Sequence, residues 1–169
     1  GTIYVGDLCA FNPDGSLKWK SDVGSRPYVS PAIGPEGTIY TTRGSDSLGY
    51  GLVAFNPDGS SKWFYSTGSS SPVDTTSPVV SRDGSTVYIA DPNGILYAVN
   101  SMDGTKDWSY DSGILQTATG LLSTGSDGTI YFGGGVSSYA SVIALTPEGI
   151  LKWNADYLKG AGVVHGAIG

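Results

Sequence analysis

The side chains that could do chemistry in this sequence are few and widely separated. The 169 residues include one histidine, His165, and one cysteine, Cys9. No serine, aspartate and lysine lie at spacings typical of an activated nucleophile. The segment 91–94, Asp-Pro-Asn-Gly, has too few oxygen ligands for a calcium loop and predicts a turn instead. We therefore predict no catalytic residue, no metal site and no cofactor.

The chemistry that this sequence does permit is recognition by polar and aromatic side chains. Tyrosines on a surface can stack on sugars, although tyrosine is also common in strands. Arg43 and Asp46 are expected to pair with each other or with solvent. His165 stands where the other repeats have Ser or Thr, and a lone histidine of this kind is more often solvated than catalytic. The candidate binding residues are Arg26, Tyr28, Arg43, Asp46, Tyr50, Asp74, Gln116, Tyr139 and His165.

These candidates are carried by four copies of one sequence repeat. The motif Gly-Thr-Ile-Tyr begins at positions 1, 37 and 128, and Ser-Thr-Val-Tyr begins at position 85. In each copy an alanine precedes a turn motif of the Asn-Pro-Asp-Gly type, and a tryptophan follows that turn. The alanines are Ala10, Ala54, Ala98 and Ala144, and the tryptophans are Trp19, Trp63, Trp108 and Trp153. A period of about 40 to 50 residues that is rich in short strands is typical of β-propellers.

Each repeat contains four strand-like runs separated by tight-turn sequences, and no window has a clear helical pattern. The sequence therefore predicts an all-β fold, a β-propeller of four-stranded antiparallel blades with four blades in the chain. We predict one domain, 1–169, with repeats at about 1–27, 28–73, 74–116 and 117–162. The last run, 163–169, is expected to pair with the first strand and complete the first blade, which would leave no open strand edge.

The recurring alanines and tryptophans are interpreted as packing residues. A blade has two apolar faces and must stack on its neighbours to bury both. A larger side chain at the alanine position would clash, and burial of ~200 Å² of each tryptophan contributes at most about 5 kcal/mol. The turns between the first and second strands of each repeat, and those between the third and fourth, are short and similar in all copies. The other loops lie on the opposite face and vary. We place any ligand on that variable-loop face.

Bulk composition narrows the range of partners. A net charge of −6 with 9 lysines and arginines argues against nucleic acid. No run approaches the ~20 apolar residues of a membrane helix, and a single cysteine excludes an internal disulfide. The sequence has no starting methionine and no signal peptide, so we expect a mature or trimmed chain. Low charge with abundant Gly, Ser, Thr and Tyr favours an extracellular or periplasmic protein.

The repeat resembles the pyrroloquinoline-quinone-like repeat, which runs Ala, any residue, Asp, three residues, Gly, three residues, Trp. The third copy keeps that spacing with Ala98, Asn100, Gly104 and Trp108, and the others are one residue shorter. The family includes quinoprotein alcohol dehydrogenases and outer-membrane assembly proteins of the BamB type. The resemblance implies a propeller, usually of seven or eight blades. The dehydrogenases use a catalytic aspartate, a calcium site and often paired cysteines, whereas this chain has one cysteine.

Several forms of closure and function stay open at this point. The four blades can close alone, two chains can close together as an eight-bladed ring, or the chain can belong to a larger propeller. We favour the two-chain ring. We expect an exported, non-catalytic binding or assembly module whose partner is a second copy, a protein or a glycan. The alternatives are a fragment of a quinoprotein-like dehydrogenase and a dissected or reconstructed half-propeller with no ligand.

Overall fold

The structure is a computed structural model that describes residues 1–5, 8–21, 29–45, 49–70, 76–113, 121–136 and 139–157. These residues form fifteen strands in four antiparallel sheets, with a 3-10 turn at Pro35–Gly37. Consecutive strands are neighbours in every sheet, so each sheet is a meander. We call the sheets blades 1 to 4 in chain order.

The four blades have the following strands. Blade 1 contains β1 (Ile3–Val5), β2 (Cys9–Phe11) and β3 (Leu17–Lys20). Blade 2 contains β4 (Ala32–Ile33), β5 (Ile39–Ser45), β6 (Gly49–Phe55) and β7 (Ser61–Ser66). Blade 3 contains β8 (Val79–Val80), β9 (Thr86–Ala90), β10 (Ile95–Asn100) and β11 (Lys106–Asp111). Blade 4 contains β12 (Leu121–Thr124), β13 (Ile130–Val136), β14 (Tyr139–Leu145) and β15 (Leu151–Tyr157).

The predicted all-β propeller with four blades is confirmed by this arrangement. Blades 2, 3 and 4 have the four antiparallel strands expected, and blade 1 has three strands within the described residues. The run 163–169, predicted to complete blade 1, lies outside the described residues. Its pairing with β1 therefore stays a prediction.

The turn between the last two strands of a blade explains why its sequence repeats. In blade 1 the Asp14 carboxylate accepts hydrogen bonds from the backbone N–H of Ser16 at 2.9 Å and from the Ser16 hydroxyl at 2.6 Å. Asp58 and Ser60 make the same two contacts in blade 2. The next residue, Gly15, has a φ of 84°, which glycine adopts without steric penalty. The Asp-Gly pair therefore fixes the turn through short-range contacts.

Each recurring alanine lies directly across the sheet from the tryptophan of its own blade. The pairs are Ala10 with Trp19, Ala54 with Trp63, Ala98 with Trp108 and Ala144 with Trp153. All four alanines are fully buried, and the strand register shifts directly after each of them. Such a shift bends the strand locally, and the small side chain leaves room for the cross-strand ring.

The two faces of a blade carry different residues and pack on one another in a fixed order. We call the face that holds the tryptophan the tryptophan face and the opposite one the aliphatic face. In blade 2 the tryptophan face is formed by Tyr40, Leu52, Ala54 and Trp63. In blade 3 the aliphatic face is formed by Val87, Ile89, Tyr97 and Val99, and the two faces make one core cluster. Blade 1 packs on blade 2, and blade 3 on blade 4, in the same way.

Six carboxylates in exposed turns of the described residues have pKa values below their usual ones. Hydroxyl and backbone N–H groups within the same turns hold the pKa of each below its usual value. The backbone N–H of Thr129, followed by its hydroxyl, lowers the pKa of Asp127 to about 2. The six are Asp14, Asp58, Asp83, Asp103, Asp127 and Glu148.

These shifts predict a loss of stability at low pH. A carboxylate whose folded pKa lies below its unfolded pKa stabilises the fold above the unfolded value, and that contribution disappears as the pH falls through the folded pKa. We expect the thermal unfolding midpoint to decrease between about pH 4 and about pH 2, and scanning calorimetry across that range measures it. Asp127→Asn should flatten the decrease. A midpoint that stays constant down to about pH 2 would contradict the assignment.

Candidate interaction surfaces

The tryptophan at each junction inside the chain stacks on the turn of the next blade. A Cβ atom added to Gly59, Gly104 or Gly149 would lie 2.7 Å from Cδ2 of Trp19, Trp63 or Trp108, respectively. The indole N–H groups donate to carbonyls of the same turns. Trp19 donates to Pro57 at 3.0 Å, Trp63 to Ser101 at 3.2 Å and Trp108 to Pro147 at 3.1 Å. Glycine is therefore required beneath each indole ring, and each indole links its blade to the next through stacking and one hydrogen bond.

The fourth tryptophan and the first turn do not make this contact. Trp153 is 44% exposed, and its ring lies 6.0 Å from that of Tyr131 in the same blade. Gly15 has a φ of 84°, close to the 88° of Gly59, but a Cβ atom added to it would meet nothing within 4 Å. Trp153 thus does not stack on the first turn of its own chain. We call Tyr131 and Trp153 the open tryptophan face.

The aliphatic face of blade 1 is also uncovered. Ile3 is 54% exposed and Val5 is 42% exposed, whereas the residues in their places in blade 2, Ile39 and Thr41, are 0% and 1% exposed. The corresponding residues of blades 3 and 4 are equally buried, namely Val87, Ile89, Ile130 and Phe132. Together with Cys9 and Phe11, which pair with them across the strands, Ile3 and Val5 form the open aliphatic face.

Two of the nine predicted binding residues have described side chains, and both belong to blade 2. Arg43 lies on β5 and Tyr50 on β6, and these strands are paired in register. The Arg43 guanidinium carbon lies 5.7 Å from the centroid of the Phe64 ring. Its Nε is buried and has no hydrogen-bond partner among the described residues. Tyr50 packs against the core cluster between blades 2 and 3. Both side chains thus contribute to packing at this end of blade 2.

The other seven predicted binding residues are not placed by the structure. Tyr139 is the first residue of β14, and its side chain is not among those described. The residues outside the described ranges are Arg26, Tyr28, Asp46, Asp74, Gln116 and His165. The expected pairing of Arg43 with Asp46 also stays a prediction, because Asp46 lies outside the described ranges. A shared binding site for these residues stays a prediction.

Asp91 forms a buried network for which the sequence indicated no more than a turn. Its carboxylate is 1% exposed and accepts hydrogen bonds from the backbone N–H groups of Asn93 and Ile95, both at 3.0 Å. The Tyr97 hydroxyl donates to the same carboxylate at 3.2 Å. Burial, followed by the charge of Asp91, raises the pKa of Tyr97 and that of Tyr65.

A cavity of about 520 Å³ lies between the short turns of blades 3 and 4. Its lining includes Ser81, Arg82, Asp83 and Tyr88 of blade 3 and Thr124 and Asp127 of blade 4. Tyr88 is 2% exposed, and its hydroxyl has no hydrogen-bond partner among the described residues. Burial, with smaller contributions from nearby carboxylates, raises the pKa of Tyr88 to about 12. This cavity was not predicted, because the ligand site was expected on the opposite face.

The described residues include neither a metal-binding cluster nor a membrane-spanning helix. No three His, Cys, Asp or Glu side chains among them lie close enough together to hold a metal ion. No helix within the same ranges is both long and apolar enough to cross a membrane. Cys9 is a partly buried free thiol on β2.

Comparison with known proteins identifies the repeat. The family model described as outer membrane protein assembly factor BamB matches residues 4–162. The chain belongs to this family of pyrroloquinoline-quinone-like repeat proteins. The resemblance that the sequence motifs indicated is thereby confirmed. A search of curated proteins found no match.

Two solved structures share the propeller fold with this BamB-family chain. BamB from Moraxella catarrhalis is 15% identical, with a TM-score of 0.55 over 91% of this chain and 56% of that one. A quinohemoprotein alcohol dehydrogenase from Pseudomonas putida is 21% identical, with a TM-score of 0.60 over 76% of this chain and 20% of that one. The chain thus spans about half of the first protein and a fifth of the second.

Proposed function

We propose that this chain is a non-catalytic propeller module for binding and assembly, and that it pairs with a second copy of itself in an eight-bladed ring. The observation that supports the proposal is the pair of open faces on blades 1 and 4. One is a tryptophan face and the other is an aliphatic face, and these two surfaces pack together at all three junctions inside the chain. The protein therefore carries both halves of its own recurring interface.

A second copy would cover both open faces at once. The open tryptophan face of one copy would receive the open aliphatic face of the other, and two-fold symmetry would repeat the contact and close the ring. Trp153 would stack on Gly15 of the second copy and donate to the Pro13 carbonyl, as Trp19 donates to Pro57 within the chain. Large apolar side chains that are exposed together commonly mark such an interface.

The size of related proteins also favours a second copy. The chain covers 56% of the BamB chain to which it is similar. Two copies would therefore supply about as many blades as one chain of that protein. In a longer polypeptide, further blades would cover the same two open faces. A mass measurement on this chain distinguishes pairing with a second copy from that possibility.

We further propose that the variable-loop face meets the partner, and that the protein works outside the cytoplasm. The strands β5 and β6 extend Arg43 and Tyr50 toward that end of blade 2. The description of the family as an outer membrane protein assembly factor supports a protein partner and a periplasmic or extracellular site of action. A glycan is the alternative partner for the tyrosines of this face.

Gly15→Ala is expected to break the ring while leaving the fold nearly intact. A methyl group at Gly15 has free space in the single chain but would enter the ring of Trp153 of the second copy, as it would enter the Trp19 ring at Gly59. The positive φ adds a penalty of ~1 kcal/mol. Sedimentation velocity should show dissociation of the variant at concentrations where the unchanged protein is associated.

Gly68→Ala is the matched control for this experiment. Gly68 has a φ of 72°, and a Cβ atom added there also meets nothing within 4 Å, but it lies on neither open face. Gly68→Ala should carry the same backbone penalty and keep the association. Equal association of the two variants would rule out a Trp153–Gly15 contact between copies.

A further inference from the structure

The cavity between blades 3 and 4 lies where the repeat has an arginine in place of a proline. Position 35 of blade 2 corresponds to position 82 of blade 3 in the turn that follows the first strand. At the junction of blades 2 and 3, Pro35 fills the space, since a Cβ atom added to Gly84 would lie 2.1 Å from the Pro35 Cγ. In blade 3 the residue at this position is Arg82, which is exposed and reaches over to donate to the Ser126 carbonyl at 2.6 Å. The replacement of a compact ring by a long chain leaves the cavity open.

The second difference between the junctions is the hydrogen bonding of the tyrosine hydroxyl. In blade 2 the Tyr40 hydroxyl donates to the Ser101 carbonyl at 3.2 Å. Tyr88 occupies the same place in blade 3 and stacks on Trp108 as Tyr40 stacks on Trp63. Its hydroxyl lines the cavity with no partner in the described part of the chain, although Tyr88 is 2% exposed. Because this hydroxyl opens into the cavity and has no protein partner in the described ranges, a ligand in the cavity can hydrogen-bond to it.

The walls around the phenol combine donors and acceptors. Asp83 Oδ2 accepts one hydrogen bond, from the Ser85 hydroxyl, and Asp127 Oδ1 accepts one, from the Thr129 backbone N–H, so each oxygen can accept another. The Arg82 guanidinium has N–H groups beyond the one bonded to Ser126. The cavity lining thus holds two carboxylates and one guanidinium. Lys152 is not part of the lining, but its ammonium group pairs with the Asp127 carboxylate at 3.4 Å.

This balance of charge and of donors and acceptors selects the class of ligand. Arg82 offsets one of the two carboxylates, and Lys152 pairs with the other from outside the lining, so neither an anion nor a cation is strongly favoured. Sugar hydroxyls both donate and accept, so they can bond to a carboxylate, a guanidinium and a phenol within one site. A volume of about 520 Å³ lies within the range of small-molecule sites and has room for one or two sugar rings.

We propose that the cavity between blades 3 and 4 is a binding site for a small neutral saccharide, held by Tyr88, Arg82 and the carboxylates of Asp83 and Asp127. The site lies on the face of the short turns, opposite to the variable loops. It is formed by two blades of a single chain and does not depend on the pairing of two copies. A negative result for saccharide binding would therefore leave the proposed ring untouched, and a negative result for the ring would leave the saccharide site untouched.

Titration calorimetry with neutral mono- and disaccharides tests the site. Glucose, galactose, mannose, N-acetylglucosamine and maltose are the probes, and at least one should bind the unchanged protein at concentrations below roughly 50 mM. Tyr88→Phe keeps the stacked ring and removes the hydroxyl, so it should weaken that binding by ~5–10-fold. Arg82→Pro introduces the residue that fills the space in blade 2, so it should abolish the binding while the thermal midpoint is kept.

Tyr40→Phe is the matched control, because it removes the same atom at the junction where Pro35 lies against Gly84. It should lower the thermal midpoint, through the lost bond to Ser101, and leave saccharide binding unchanged. Lysine amide serves as a cationic probe. The proposal is overturned if no saccharide of the panel binds, if lysine amide binds in their place, or if Arg82→Pro and Tyr88→Phe bind saccharide as the unchanged protein does.

Discussion

Trp63→Ala is expected to lower the free energy of unfolding by about 4 kcal/mol, whereas Trp153→Ala should lower that of a single chain by about 1 kcal/mol or less. Trp63 stacks on Gly104 and donates to the Ser101 carbonyl of the next blade, so its removal leaves a cavity at a junction. Trp153 is 44% exposed and has no such turn beneath it in its own chain. Urea unfolding followed by circular dichroism at low protein concentration measures both values.

The effect of Trp153→Ala should appear in association instead. In the proposed ring this indole is the central contact between copies, so its removal should weaken association by ~30-fold or more. Met102→Ala is the control, because Met102 is 80% exposed but lies on neither open face. A Trp153→Ala variant as unstable as Trp63→Ala at every protein concentration would mean that Trp153 is already packed within a single chain.

Asp91→Ala is expected to lower the free energy of unfolding by about 3 kcal/mol. The substitution removes the side-chain acceptor of the N–H groups of Asn93 and Ile95. It also removes one of the two acceptors of the Tyr97 hydroxyl, whose other acceptor is the Thr67 carbonyl at 3.3 Å. Because Asp91 is buried, water replaces the lost carboxylate poorly, so the loss exceeds the net gain of an ordinary hydrogen bond. Denaturant unfolding measures the loss, and local exchange of the amide protons of Asn93 and Ile95 should become faster.

Two further variants test whether the burial of Asp91 makes its hydrogen bonds more important than those of an exposed turn carboxylate. Asp91→Asn keeps one acceptor oxygen and should lose less stability than Asp91→Ala. Asp103→Ala removes a carboxylate that makes similar bonds to Thr105 in an exposed turn, where water can replace it, and its effect should be smaller still. If Asp103→Ala and Asp91→Ala were equally destabilising, burial would not be the reason for the importance of Asp91.

Most of the fold could be predicted because the repeated residues act over short distances. Asp14 and Gly15 define a turn through contacts with Ser16 and through one backbone angle. Ala10 is small because Trp19 lies opposite to it in the sheet. Such requirements recur in every blade and are therefore visible in the sequence as a repeat.

The candidate sites could not be predicted in the same way, because they arise from differences between blades that act across a junction. The change from Pro35 to Arg82 opens a cavity only because a neighbouring blade faces it. The sequences around Tyr40 and Tyr88 are alike, yet the Tyr40 hydroxyl has a partner on the next blade, and the Tyr88 hydroxyl has none within the described ranges. The exposure of Trp153 likewise depends on the position of the Gly15 turn relative to blade 4. The sequence of a single repeat does not specify that position.

The mass of the protein in solution tests the central claim, that the open faces of blades 1 and 4 mate between two copies. Size-exclusion chromatography with light scattering gives that mass directly over a range of concentrations. The account predicts twice the chain mass of 17.4 kDa, about 35 kDa, with dissociation on dilution. A mass of 17.4 kDa at every concentration, with Gly15→Ala indistinguishable from the unchanged protein, would contradict it.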